Sequence, residues 1–320
     1  MKDLIAIAAF VALVAALLAG ADSGVVLNFV TMALYATLLA QAWNLLGGYG
    51  GQFSFGHALF FGTGAYAQAI AQLQTGLPAW VALPLAVLAA AVVALFVGAL
   101  TFRYGLKGSY FALVTLAFAE VFRIVALQLP ITGAGVGLML PLQESLAALQ
   151  FGSPRGYGWM ALALVALALL TTAWLRHSRF GARLQAVRDN EDAARALGID
   201  PFATKLAACV LSGTFMGAAG AFYVQMFHYI DPAIAFGPTT SVEALLGAIV
   251  GGMGTLWGPV LGALALHALS DLTRNLFGDL PGLNMVIYGL VLVLIVTFMP
   301  RGIAGIGQSV RQRWQGGGRG

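Results

Sequence analysis

The stretch "SVEALLGAIVGGMGTLWGPVLGALALHALS" (241–270) is 30 residues long and almost wholly apolar, yet its middle reads "GGMGTLWGP" (251–259). A single helix of that length would extend about 45 Å, well beyond the ~30 Å hydrocarbon core a transmembrane helix must cross. Glycine and proline in the middle predict two half-helices meeting at a break, as a re-entrant hairpin or short helix pair. A break of this kind is tolerated in a membrane only where it packs in protein or lines a wet cavity. Gly254, Gly258 and Gly262 recur every four residues, which in a continuous helix would make a close-packing stripe. Pro259 favours a break that ends at Gly258 and a helix that opens at Pro259.

The rest of the chain has the same apolar character. Of its 320 residues, 60% are hydrophobic and 9% charged, against about 25% charged in a soluble domain. Apolar runs at 4–20, 25–46, 53–73, 79–101, 109–129, 158–175, 203–227 and 283–299 each fit one span. They are continuous, not alternating, which argues against a β-barrel. The fold class is an all-α polytopic membrane protein with about eight full transmembrane helices and one broken hairpin. Residues 1–310 read as one transmembrane domain with a polar loop at 176–202, and 311–320 as a disordered basic tail.

Charge orients the spans. With both termini on the cytoplasmic side, the cytoplasmic segments carry Lys2, Arg103, Lys107, Arg176, Arg179, Arg183, Arg188, Arg195, Lys205, Arg301, Arg311, Arg313 and Arg319, which is 13 of the 16 basic residues. This is a strong positive-inside bias, and it requires 241–270 to enter and leave on the same, outer side. "AGA" (19–21) resembles a signal-peptide cleavage site, but Lys2 followed by Asp3 makes a weak charged region, which favours a retained first span. "GGYGGQFSFGH" (47–57) and "GGMGTLWGP" share Gly-Gly-x-Gly. That is compatible with inverted repeats or with the abundance of glycine in membrane helices.

Several functions are excluded or unsupported. No P-loop occurs: "RYGLKGSY" (103–110) lacks the required first glycine. The four histidines, 57, 177, 228 and 267, are scattered, so no metal site is expected. Cys209 is the one cysteine, so no intrachain disulfide can form. Nucleic-acid binding is not expected at a net charge of +4 without exposed aromatics among the basic residues.

Polar residues inside apolar runs are the candidates for function. Glu120 and Arg123 stand three apart on one helix and can pair, either as a buried structural tie or as part of a substrate pathway. Asn44 follows Gln41 by three residues and leads into Gln52, Ser54 and His57. These side chains beside flexible backbone suit a polar waist, or alternatively helix–helix hydrogen bonding. Glu243 is expected near the outer interface.

The longest polar segment holds "AVRDNEDAARALGIDP" (186–201). Asp189 or Asn190 can cap a short helix, Gly198 can end it, and Asp200-Pro201 can open the next span. The segment is alanine-rich with mixed charge, which suits protein contact better than lipid. "DAARALG" (192–198) resembles the EAA loop of bacterial ABC-importer permeases, with Asp192 in place of Glu and Ala193, Ala194 and Gly198 matching.

"NLLGGYGGQFSFGHALFFGTGAY" (44–66), "SVEALLGAIVGGMGTLWGPVLGA" (241–263) and "YGLVLVLIVTFMPRGIAG" (288–305) extend the likeness to nearly the whole chain. Together they resemble the LivM-type permease subunit of branched-chain amino acid ABC importers. The resemblance implies a second permease subunit, two cytoplasmic ATPases and an extracytoplasmic substrate-binding protein, in the bacterial inner membrane. ATP is bound by the ATPases and no cofactor by this chain. It assigns ATPase coupling to Arg188, Asp192, Ala193, Ala194, Arg195 and Gly198. Similar permeases carry urea and short amides. A stand-alone secondary transporter would need intramembrane carboxylates, and Glu120 is the one candidate, with Arg123 beside it.

Overall fold

The computed structural model describes residues 2–143, 145, 148–277, 282–283, 286–287, 289–290, 293 and 302–304, and of 274–277 the backbone only. The expected span 283–299 lies outside them apart from isolated positions, and the tail 311–320 lies wholly outside. Twelve α-helices are described: α1 (Lys2–Gly20), α2 (Gly24–Asn44), α3 (His57–Thr75), α4 (Ala79–Arg103), α5 (Gly108–Gln128), α6 (Pro154–His177), α7 (Arg179–Asp189), α8 (Glu191–Ala196), α9 (Pro201–Phe227), α10 (Pro232–Phe236), α11 (Pro238–Gly251) and α12 (Gly258–Phe277). A π-helical turn, Leu45–Tyr49, extends α2. Two short strands, β1 (Leu138–Met139) and β2 (Tyr229–Ile230), pair antiparallel.

Seven stretches among the described residues are long and apolar enough to cross a membrane, and six coincide with expected runs. The seventh joins α10 to α11 (Pro232–Gly251). The run 53–73 becomes helix only at His57.

The two ends of the bundle are marked by polar contacts between α1 and α6. Asp3 meets Arg176 at 3.2 Å and His177 at 3.0 Å at one end, here called the basic end. At the other, Arg155 donates to the carbonyl of Ala21 at 2.7 Å. α1 and α6 are therefore antiparallel neighbours. α2 runs to the basic end through the middle of the molecule, and every residue from Leu38 to Asn44 is buried.

Close helix approach is encoded by small residues. On α4, Ala82, Ala86, Ala90 and Ala94 recur every four residues and are fully buried. Gly213 and Gly217 of α9 press on Ala94 and Ala90, and across the α3–α9 contact Gly64 faces Gly217. Without a hydrophobic drive between helices in lipid, such contacts supply dispersion energy that bulkier residues would prevent.

The expected break is present. α11 ends at Gly251, and α12 begins at Gly258 and doubles back. The hairpin closes without side chains between its arms: a Cβ at Gly251 would strike the Gly258 carbonyl, and one at Gly262 the Gly247 carbonyl. Thr255 secures the turn, its hydroxyl donating to Gly252 O (2.7 Å) and accepting from Gly258 N (2.9 Å).

The arms enter and leave at the end opposite the basic one. β2 precedes α10 there, and on the returning arm His267 packs on Phe29 at 4.9 Å. The turn reaches deeper than a shallow re-entrant loop would, since Trp257 meets Phe10 of α1 at 5.6 Å and Gly254 abuts Gly48. α2 and α11 run in the same direction, with Gly247 beside Ala40 and Gly254 beside Gly48. These two glycine stretches thus lie side by side at the same end of the bundle.

Replacing Gly251 by Val should therefore separate the hairpin arms and destabilise the protein by about 1–3 kcal/mol or more, as overpacking does. Gly24→Val, at a position with open space around it, should be neutral. Thermal midpoints of the two purified variants in detergent check this, and equal midpoints would contradict it.

Candidate functional site

Both glycine-rich stretches meet at one place near the basic end. The Asn44 side chain accepts from Gly254 N at 2.7 Å and donates to Thr255 O at 3.0 Å. One turn earlier, Gln41 donates to Leu256 O at 2.8 Å, and Thr172 of α6 donates to Gln41 Oε1 at 3.4 Å. Asn44 and Gln41 are fully buried. The turn 252–257 cannot satisfy its own backbone groups with helical bonds, and in low dielectric an unpaired amide is strongly unfavourable. Two side-chain amides of α2 supply the missing partners. Gly254 has φ +73°, a conformation most side chains resist.

The other expected pathway residues lie beside this contact. The indole of Trp43 donates to Ser54 O at 2.9 Å, and Ser54 Oγ accepts from Gly56 N at 3.1 Å. His57 Nε2 sits 2.8 Å from Ser212 Oγ, which donates to Ala42 O at 2.6 Å. Ala58 N donates to Ser241 Oγ at 2.8 Å, so the first turn of α3 is capped by α11. Ser54 and His57 are buried and Gln52 is half-buried, its amide donating to Gly50 O at 3.2 Å. Within this chain Asn44 and His57 tie helices together through their side chains, and Ser54 does so through its carbonyl. Glu243 lies two residues beyond Ser241, level with the start of α3, and not near the far end as expected.

Glu120 and Arg123 pair as expected, at 2.6 and 2.8 Å in a two-pronged contact. They are not interior: the side chains are 47% and 30% exposed on the outer face of α5. Leu113, Leu116, Val121 and Ile124 of α5 are exposed with them.

The polar segment folds as two helices outside the spans. Asn190 caps α8, accepting from Asp192 N and Ala193 N at 3.1 and 3.0 Å. At the far end Gly198 has φ +79°, and Ile199 N bonds back to Ala194 O. This is the left-handed C-cap expected at that position. Asp200 then caps α9 through Phe202 N and Ala203 N.

The faces of α8 separate the candidate coupling residues. Asp192, Ala193 and Arg195 point outward, and so does Leu197, 80% exposed although apolar. Ala194 is 2% exposed and packs inward on its own chain, which corrects the expectation that it faces a partner with Ala193. Arg188 stays 42% exposed yet reaches back to its own chain: its Nη1 donates to Gly48 O at 2.7 Å, and its stem covers Gly51. It joins α7 to the contact between the glycine stretches, where a rim contact was expected.

Sequence reasoning passed over Glu191 as a site residue. Its side chain is 16% exposed, against 83% for Asp192. Lys107 stands 3.0 Å away, Lys205 3.2 Å and Arg195 3.5 Å. Burial would raise its carboxyl, but the two lysines outweigh this and hold it below the usual carboxylate range. It therefore stays charged at neutral pH. Lys205 is itself buried, with Nζ 5.2 Å over the Phe102 ring.

Removal of the Asn44 amide strips two partners from a buried turn. Asn44→Ala should destabilise the protein by about 1–3 kcal/mol for each group left unpaired. The check is the unfolding midpoint in detergent, and a value equal to the parent's would remove Asn44 from this role.

The family described as branched-chain amino acid transport system / permease component matches residues 25–296. The chain is similar to the high-affinity branched-chain amino acid transport system permease protein LivM of Salmonella typhimurium, 30% identical over 301 residues, which are 86% of this chain and 69% of LivM. It is also similar to LivH of Escherichia coli, 28% identical over 46% of each chain. The autoinducer 2 import system permease protein LsrC of Klebsiella pneumoniae is 34% identical over 47% of this chain and 44% of its own. No solved structure matches.

Proposed function

The chain belongs to the branched-chain amino acid transport permease family and is a membrane-spanning permease subunit of an ABC importer; from that premise we propose that α8 docks a partner ATPase and that α5 borders the path of a branched-chain amino acid. The observation that carries the first part is the construction of α8. It is a helix outside the spans, capped at both ends, with Ala193, Leu197 and charged Asp192 and Arg195 turned to solvent. A small residue lets a partner groove close on the backbone, and an exposed leucine supplies an apolar anchor. Rim charges set orientation more than affinity.

The second part rests on the Glu120–Arg123 pair. An exposed ion pair midway along a membrane span is strongly disfavoured against lipid. A second permease subunit facing α5 across a hydrated path would give both charges water or protein. Named relatives of two kinds, LivM and LivH, support such a pairing. The basic end then faces the cytosol of a bacterial inner membrane, and an extracytoplasmic binding protein delivers solute to the opposite end. Residues 1–310 act as one domain in this reading. An ion-coupled carrier is not favoured, since the matching family and the named relatives are permease components of transport systems.

Leu197→Glu should detach the ATPase and lower transport at least tenfold in the reconstituted importer while the purified permease keeps its thermal midpoint. Co-purification of ATPase at the parent's ratio, with parental transport, would refute docking at α8. For the path, removing Glu120 or Arg123, singly or together, should slow uptake while the purified permease keeps its thermal midpoint, since an exposed pair adds little to stability. Uptake rates of the two single variants and the double variant decide this.

A further inference from the structure

We propose that Glu191 is the positioning residue that transmits movement of α8 to the spans, by way of Lys107 to α5 and Lys205 to α9. The proposal rests on the reading of α8 as the docking element and adds the route by which docking is felt. Glu191 is the first residue of α8. Its carboxylate turns inward while that of the next residue, Asp192, turns to solvent.

The carboxylate bridges two other elements. Lys107 is the residue immediately before α5 and occupies its N-cap position, and its ammonium lies 3.0 Å from Glu191 Oε2. Lys205 lies in the second turn of α9 and bonds both carboxylate oxygens, at 3.3 and 3.2 Å. Its ammonium also lies over Phe102, at the end of α4, and Phe102 stacks on Phe111 of α5 at 5.1 Å. One carboxylate thus joins the first turn of α8 to the ends of α5 and α9 that lie beside it. Of the other charges, Arg195 of α8 itself also reaches Glu191, at 3.5 Å, and pairs with Asp192 at 3.3 Å, while Asp200 is occupied with the cap of α9.

Two features make this a transmitting contact and not only a brace. α5 is held along one edge, with Phe111, Ala112, Thr115, Ala119 and Ala126 as its buried residues and Gly56 closed on the Thr115 carbonyl, while Leu113, Leu116, Val121 and Ile124 on its other face meet nothing in this chain that buries them. Beside the cluster lies a cavity of about 570 Å³, lined among others by Arg103, Gly105, Pro201 and Phe202. Displacement of α8 has room to draw Lys107, and with it the start of the helix that carries Glu120 and Arg123.

The test uses the complete importer in proteoliposomes, measuring bound ATPase, ATP hydrolysis and solute carried per ATP. Lys107 is 55% exposed, so its replacement spares the fold. Lys107→Ala and Glu191→Gln should each keep the ATPase bound and hydrolysing, yet carry about tenfold less solute per ATP. Lys107→Arg should retain at least half of the parent ratio. A parental ratio in Lys107→Ala, or a transport loss that merely tracks loss of bound ATPase, would overturn the proposal. Leu197→Glu separates the two readings. If it detaches the ATPase while Lys107→Ala and Glu191→Gln couple normally, the transmission route alone fails. If it binds and transports like the parent, docking at α8 fails as well.

Discussion

The architecture depends on the pairing of a helix amide with a broken backbone. Where α11 stops, the chain leaves peptide groups without helical partners, and the structure answers with Asn44 and Gln41 from α2. Neither residue could do this from the surface. Both are fully buried, and their own exposure to lipid would be as unfavourable as that of the turn. Each polar site is tolerable because the other is present, which is how buried polar networks specify one arrangement among many apolar packings of similar energy. The tight Gly251–Gly258 approach then lets the hairpin insert beside α2.

Several elements were legible because their signals are local. A 30-residue apolar run with a glycine-proline centre can only be a broken helix, and charge asymmetry gave the side on which it enters. The caps of α8 were legible too, since Asn190 and Gly198 act within their own turn. What the sequence left open was decided by distant partners. Asn44 and Gly254 are separated by 210 positions, and no periodicity says that one must find the other. Glu120 and Arg123 could be paired from their spacing, but whether the pair faces the bundle or its surface depends on which edge of α5 packs.

The α8 segment shows the same limit at finer scale. Ala193 and Ala194 are adjacent and chemically identical, yet one is exposed and the other is buried, because successive helical residues point about 100° apart. Glu191 and Asp192 differ in the same way. The family-like pattern drew attention to Asp192, the outward carboxylate, while the inward one meets three cations. Arg188 was read as a surface charge, and its stem also covers Gly51, a place a side chain there would fill. In each case the residue type was informative and its direction was not.

The helices divide by how they are held. α9 is fixed to α3 and α4 by glycine and alanine contacts that admit little sliding, and α2, α11 and α12 are locked through the turn 252–257. α5 has one such contact, Gly56 against the Thr115 carbonyl. Along its length Phe118 meets Phe96 of α4 at 6.3 Å, and Phe122 meets Phe236 of the five-residue α10 at 6.2 Å. At the basic end it is held by Lys107 and the Phe102–Phe111 stack. Packed interiors at crystal-like density resist small displacements. The glycines of α9 and α11 thus build a closely packed frame, and α5 lies against it by one edge while its charge pair and its leucines, valine and isoleucine occupy the exposed face.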